Sequence, residues 1–176
     1  MKFEQTEIEG LWVIDVEKRE DERGFFARTF CFEEFGRLGL CTQYLQCNVS
    51  FNARRGTLRG MHFQRAPYEE VKLVRCTRGA VYDVVLDLRQ HSPTYKRWLG
   101  FELTADNHRT LYMEAGLAHG FQTLEDGSEL FYQMSARYDP ASAAGVRWND
   151  PAFAIRWPLA APVVSPRDAA FPDFDG

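Results

Sequence analysis

From Thr42 onward, short β-branched and apolar runs alternate with Gly, Pro, Asn or Asp at intervals of about ten residues. Chain interrupted this often cannot lay down long amphipathic helices, whereas strands joined by turns can close into a sandwich or barrel. The strands expected are Gln43 to Ser50, Gly56 to Phe63, Lys72 to Arg78, Ala80 to Leu88, Trp98 to Leu103, Arg109 to Met113, Gly120 to Leu124 and Glu129 to Ala136. Nothing reads as a βαβ unit. Ahead of this region, Ile8 to Val16 (IEGLWVIDV) reads as a first strand and Glu17 to Arg23 (EKREDER) as an exposed turn ending at Gly24. Cys31 to Leu38 (CFEEFGRL) carries Phe32, Phe35 and Leu38 at helical spacing, so a helix with its aromatic face in the core is expected there. The tail from Ala141, rich in Ala, Pro and Trp, has no long periodic segment and reads as loops and short strands or turns wrapped on the core. With no repeat, linker or low-complexity segment, residues 1–176 read as one domain.

A chain of 176 residues can bury roughly two thirds of its unfolded surface without a disulfide or cofactor to support it. Its net charge of −4, from 21 basic and 25 acidic residues well mixed, lacks the basic stripe of a nucleic-acid footprint. No apolar run follows the first lysine and none approaches a membrane span, so the expected location is the cytoplasm. Cys31, Cys41, Cys47 and Cys76 show no CxxC spacing and read as reduced thiols packed as small hydrophobes.

The chemistry concentrates between Arg55 and Arg89. His62 sits between two apolar residues on an expected strand, and Lys72 opens another. A buried imidazole and a buried ammonium both cost desolvation energy, so their joint occurrence marks a site. His91 and His108 lie among turn formers and are expected to be exposed; His119, in EAGLAHGF, starts an apolar strand and can point into the same barrel as His62. Two histidines raise a metal site, but the HxH pair of small β-barrel metalloproteins is missing, since Gln64 stands two residues after His62, and Lys72 would repel a cation. No metal is expected. What His62, Lys72 and a tyrosine can do is abstract a proton beside a carbonyl: a base removes it, a cation stabilises the enolate, and an acid on the opposite face returns a proton. Tyr132, in ELFYQMS, is either that acid or an ordinary half-buried strand residue. Strand alternation puts Asp83 and Asp87 on one face with Val81 and Val85, as polar lining. Either Asp83 or Asp168, in VVSPRDAAF, can orient the imidazole. Arg23, Phe25 and Phe26 follow the charge run and belong either to a solvated loop or to a grip on a phosphate and a base.

Several blocks in order, GTLRGMHFQ (56–64), KLVR (72–75), GAVYDVVLDLR (79–89), SPTY (92–95), AHGF (118–121) and GVRWNDP (145–151), together with DERGFF near the start and SPRD near the end, resemble the dTDP-4-dehydrorhamnose 3,5-epimerase family of nucleotide-sugar epimerases across almost the whole chain. The resemblance implies a mainly β, cupin-like jelly roll with a few short helices. It implies a homodimer that acts without metal or cofactor on a nucleoside-diphosphate 4-keto-6-deoxyhexose. It further implies His62 as base with Asp168 as its partner, Lys72 near the developing enolate, and Tyr132 as acid. Arg59 and Arg23 correspond to residues that hold the diphosphate, Phe26 and Tyr138 to residues around the base, Gln46 and Asn48 to polar pocket lining, and His119 with Asp83 to a second pair close to the sugar. In such a dimer the N-terminal segment can reach the neighbouring subunit's site.

The chain departs from the family pattern at Arg28, where Glu is common, at Cys47, where QDN is common, and at Glu114, where Pro is usual. Arg28 and Cys47 fall near the implied nucleotide and sugar contacts. Inversion at both carbons 3 and 5 is the expected reaction. The alternatives are inversion at one centre of another nucleotide sugar, or a cupin-like module that binds a sugar nucleotide without turning it over.

Overall fold

The computed structural model describes residues 1–175. In chain order its elements are β1 (Lys2–Gln5), β2 (Leu11–Asp15), β3 (Arg19–Asp21), β4 (Gly24–Phe26), α1 (Phe32–Arg37), β5 (Gln46–Asn52), β6 (Thr57–Gln64), β7 (Lys72–Arg78), β8 (Ala80–Asp87), β9 (Trp98–Thr104), β10 (Thr110–Met113), β11 (Leu117–Thr123), β12 (Ser128–Met134), β13 (Ala143–Gly145), β14 (Val163–Val164) and α2 (Pro166–Ala169). One sheet runs β1-β2-β10-β7-β12-β5 and the other β13-β6-β11-β8-β9, with β14 added parallel to β6. Sequence neighbours fall repeatedly in different sheets, as in the cupin-like jelly roll that the sequence implies.

Alternation along the strands builds three apolar layers. Val74, Leu111 and Leu130 of the first sheet meet Val81, Val85, Leu103 and Phe121 of the second to form the central core. On the back of the second sheet, Met61, Val84, Leu86 and Ala118 pack under Val146, Phe153, Ile155 and Trp157 of the tail. On the back of the first sheet, Ile14, Leu73 and Tyr112 pack against Phe35 and Leu40. The second sheet is thus covered on both faces, which is why β8 is buried along nearly its whole length.

Several elements differ from the sequence reading. The helix is only six residues long, too short to bury a stripe: Phe35 is fully buried, but Phe32 and Leu38 are 64% and 43% exposed. The charge run is not only a turn, since β3 and β4 pair as a small exposed hairpin. The strand expected from Gln43 starts later, at Gln46, and the one expected from Gly120 starts earlier, at Leu117. His108 is half-buried against the Phe25 ring, 4.9 Å away, and this burial lowers its pKa. Of the cysteines only Cys76 is buried, and Cys47 is exposed on β5, the strand at one edge of its sheet. Asp83 and Asp87 are both buried, yet Asp87 lines no cleft: its carboxylate accepts from Arg89, Ser92 and Thr94 and ties down the turn after β8.

Candidate active site

A cleft of about 530 Å³ opens between the two sheets, within the size range of small-molecule sites. The second sheet supplies Arg59 and His62 from β6 and His119 from β11; the first supplies Gln46 and Asn48 from β5, Lys72 from β7 and Tyr132 from β12. Strict alternation would put Arg59 and His62 on opposite faces of β6. An irregularity in the β6–β11 ladder changes the parity: His119 lies opposite His62 but Phe121 opposite Arg59. Gly60 and Gly120 make this possible, because a Cβ on Gly60, whose φ is +126°, would sit 2.5 Å from Gly120 Cα.

His62 Nε2 lies 2.7 Å from Asp168 Oδ1, and the Gly60 amide donates to the other carboxylate oxygen at 3.2 Å. Asp168 enters from α2, where its own amide donates to the N-cap Ser165 hydroxyl. Burial pushes the Asp168 carboxyl up, but the hydrogen bond and charge of His62, the Gly60 amide and Arg167 outweigh it and leave the pKa below the usual carboxylate range. An ionised carboxylate only accepts, so Nε2 carries the imidazole proton and Nδ1 is left free to take one. The alternative orienting carboxylate, Asp83, is instead engaged by His119, whose Nε2 lies 2.8 Å from Asp83 Oδ2. Burial raises the pKa of Asp83, with His119 and Lys72 opposing, and its other oxygen has no partner among the described residues.

The Tyr132 ring stands 5.7 Å from that of His119, edge to face. Burial and then the Asp83 carboxylate hold the phenol well above its ordinary range, with Arg59 opposing, so it keeps its proton at neutral pH. Lys72 is buried and donates to the His62 carbonyl at 3.1 Å. Arg59 is anchored by Nε to Asn52 Oδ1 at 2.8 Å, and the Gln46 side-chain carbonyl accepts from the Tyr138 amide at 2.6 Å, fixing the backbone of a tyrosine that borders the cleft.

Arg23 and Phe26 are not brought to this cleft. They lie on the exposed β3–β4 hairpin, where Arg23 folds back on Asp21 and Phe26 is 72% exposed beside a separate small hollow that also includes Arg28. Arg28 pairs with Glu34 and Cys47 is exposed, and neither is among the residues that line the cleft. Among the described residues, no group of three His, Cys, Asp or Glu side chains is placed to hold a metal, and no helix is long and apolar enough to cross a membrane.

Among the lining residues, the charged Glu70 escaped the sequence reading, and Gln64 entered it only as the residue in place of a second histidine. Glu70 is buried with Oε1 3.3 Å from Lys72 Nζ, and Gln64 donates to its Oε2 at 3.0 Å. The spacing of Glu70 and Lys72 by two was the available signal, since it sets both on one side of an extended chain.

The sequence model of the dTDP-4-dehydrorhamnose 3,5-epimerase family matches residues 5–176. The chain belongs to this family. Among fellow dTDP-4-dehydrorhamnose 3,5-epimerase family members, the dTDP-4-dehydrorhamnose 3-epimerase of Streptomyces niveus is 42% identical, over 96% of this chain and 81% of its own. The dTDP-4-dehydrorhamnose 3,5-epimerase of Escherichia coli K12 is 41% identical over 96% and 91%. The crystal structure of the Bacillus anthracis dTDP-4-dehydrorhamnose 3,5-epimerase, with TDP and PPi bound, superposes with a TM-score of 0.95 at 39% identity, covering 98% of this chain and 99% of that one.

Proposed function

We propose that this protein inverts carbons 3 and 5 of a dTDP-linked 4-keto-6-deoxyhexose, converting dTDP-4-dehydro-6-deoxy-D-glucose to dTDP-4-dehydro-L-rhamnose. The observation that carries the reading is the placement of an Asp168-oriented His62 and a protonated Tyr132 on different sheets, facing one cleft. The carbon 4 carbonyl acidifies the adjacent C–H bonds. His62 Nδ1 takes a proton, the C–H electrons move toward the carbonyl oxygen, and the Lys72 ammonium stabilises the resulting enolate. Tyr132 then delivers its proton to the opposite face of the carbon, and both groups are reset by exchange with water. His119, held by Asp83, supplies a further polar contact near the sugar. Arg59 serves the diphosphate; Gln46, Asn48 and Tyr138 serve the rest of the nucleotide. We assign Arg23 and Phe26 to the neighbouring subunit's site in a homodimer, which accounts for an exposed hairpin that has no cleft of its own to serve.

Inversion at carbon 3 alone is the second reading, favoured by the 42% identity to a 3-epimerase. Incubation with the 4-keto sugar nucleotide in heavy water, followed by location of the label, tests both. Deuterium at both carbons supports the double epimerase and deuterium at carbon 3 alone the single one; no label refutes catalysis and leaves a binding module.

A further inference from the structure

We propose that Glu70 is a positioning residue for Lys72, fixing its ammonium at the point where the enolate oxygen forms. The inference rests on the enolate reading above and adds a residue that the reacting atoms do not touch. An ammonium has three N–H donors. One of those of Lys72 goes to the His62 carbonyl at 3.1 Å, and the ammonium pairs with the Glu70 carboxylate, whose Oε1 lies 3.3 Å from Nζ, which leaves donor capacity for the cleft that Lys72 lines. The side chains of Lys72 and Glu70 are each only 7% exposed, so water does not take the place of either contact.

Glu70 is itself held from behind. The Gln64 amide nitrogen reaches Glu70 Oε2 at 3.0 Å, Tyr68 O at 2.8 Å and Arg137 O at 3.1 Å, while its oxygen accepts from the Asp139 amide at 2.7 Å. With its oxygen so engaged and carbonyls around its nitrogen, Gln64 cannot turn over. Residue 70 must therefore present an acceptor on both sides, to Gln64 and to Lys72, and only a carboxylate does so. A glutamine there would set its NH₂ against either the ammonium or the Gln64 amide.

Lys72 has a competing attraction. Asp83 is close enough for the Lys72 charge to stabilise its ionised form, and Asp83 Oδ1 is buried without a partner among the described residues. Released by Glu70, the flexible lysine stem can carry the ammonium to that oxygen and away from the substrate.

The test is Glu70→Gln, measured by deuterium incorporation into the 4-keto sugar nucleotide. Displacing a catalytic group by about 1 Å can cost roughly 100-fold in rate, so kcat should fall about 10- to 100-fold with KM held within about threefold. In a Lys72→Met background the same change should cost less than about twofold, because Glu70 acts only through the lysine. If the Gln variant fails to fold, Glu70→Met, which brings no donor against either neighbour, carries the same comparison. A kcat within threefold of wild type, or an equal cost in both backgrounds, overturns the assignment while the epimerase reading stands. A wild-type protein that incorporates no deuterium overturns both.

Discussion

Asp168→Asn changes one oxygen of the dyad into NH₂ and keeps its size. The wild-type carboxylate accepts at both oxygens, from His62 Nε2 at 2.7 Å and from the Gly60 amide at 3.2 Å. An amide accepts at only one. If its oxygen stays on Gly60, its NH₂ faces Nε2, which can accept only after the ring proton has moved to Nδ1; the nitrogen meant to take the substrate proton then already carries one. If the amide is reversed, NH₂ faces the Gly60 N–H and a buried donor is orphaned. Losing the charge-assisted bond costs about 1.5–3 kcal/mol, and the wrong tautomer or orphaned donor about 1–3 kcal/mol more. Together, about 2.5–6 kcal/mol corresponds to a loss of about 10² to 10⁴ in the proton-abstraction rate at ~1.4 kcal/mol per decade. Initial rates of deuterium incorporation measure this, with dTDP affinity by calorimetry and a thermal melt as controls for binding and folding. A loss of less than tenfold in a folded variant that binds dTDP would refute the tautomer argument.

Replacing His62 by Ala should abolish exchange while dTDP affinity stays within about threefold; retention of most of the turnover would remove His62 as the base. Tyr132→Phe should go on exchanging the substrate proton yet lose about 10²-fold in net inversion, and equal loss of both would mean that the phenol only shapes the cleft. Asp87, which burial pushes up but the hydrogen bonds from Arg89, Ser92 and Thr94 together draw from its ordinary 3.8 down to about 2, should contribute about 2 kcal/mol to stability. Because the folded pKa is the lower one, this contribution is complete above about pH 4 and fades as pH falls toward about 2. Urea melts of Asp87→Asn and wild type should thus converge over that window, and a pH-independent gap would contradict the assignment. Gly60→Ala must put a Cβ against the Gly120 backbone at positive φ, so a stability loss of at least about 2 kcal/mol is expected in the same assay, and an unchanged melting point would show that the strands can part there.

How far the sequence revealed the site depended on distance along the chain and on regularity. The cadence of short strands marked the sandwich, and the closely spaced His62 and Lys72 declared themselves because polar groups on apolar strands are costly. Period-two alternation correctly turned Asp83 inward, but it could not foresee that Asp87, on the same face, would be consumed by the turn at Arg89 to Thr94. Residue by residue, the choice between Asp83 and Asp168 was undecidable: Asp168 lies 106 positions from His62, on a four-residue helix too short to leave a periodic signal, and only family likeness pointed to it. Parity alone would also have separated Arg59 from His62, since the irregularity that reunites them depends on two glycines far apart in the chain. The aromatic pattern of α1 was misleading because a single turn and a half presents only one side chain to the sheet.

The dyad's assembly from distant ends of the chain also has a meaning in time. Apart from Arg167, the cleft draws its lining from residues up to Ala144, whereas β14 and α2, which brace the histidine strand and deliver its carboxylate, come after residue 162. A growing chain can form most of the cleft early, yet His62 stays unoriented until the segment that carries Asp168 emerges and docks. On the proposed mechanism, a cut of a few residues upstream of Asp168 would leave the cleft lined almost as before but His62 without the carboxylate that orients it.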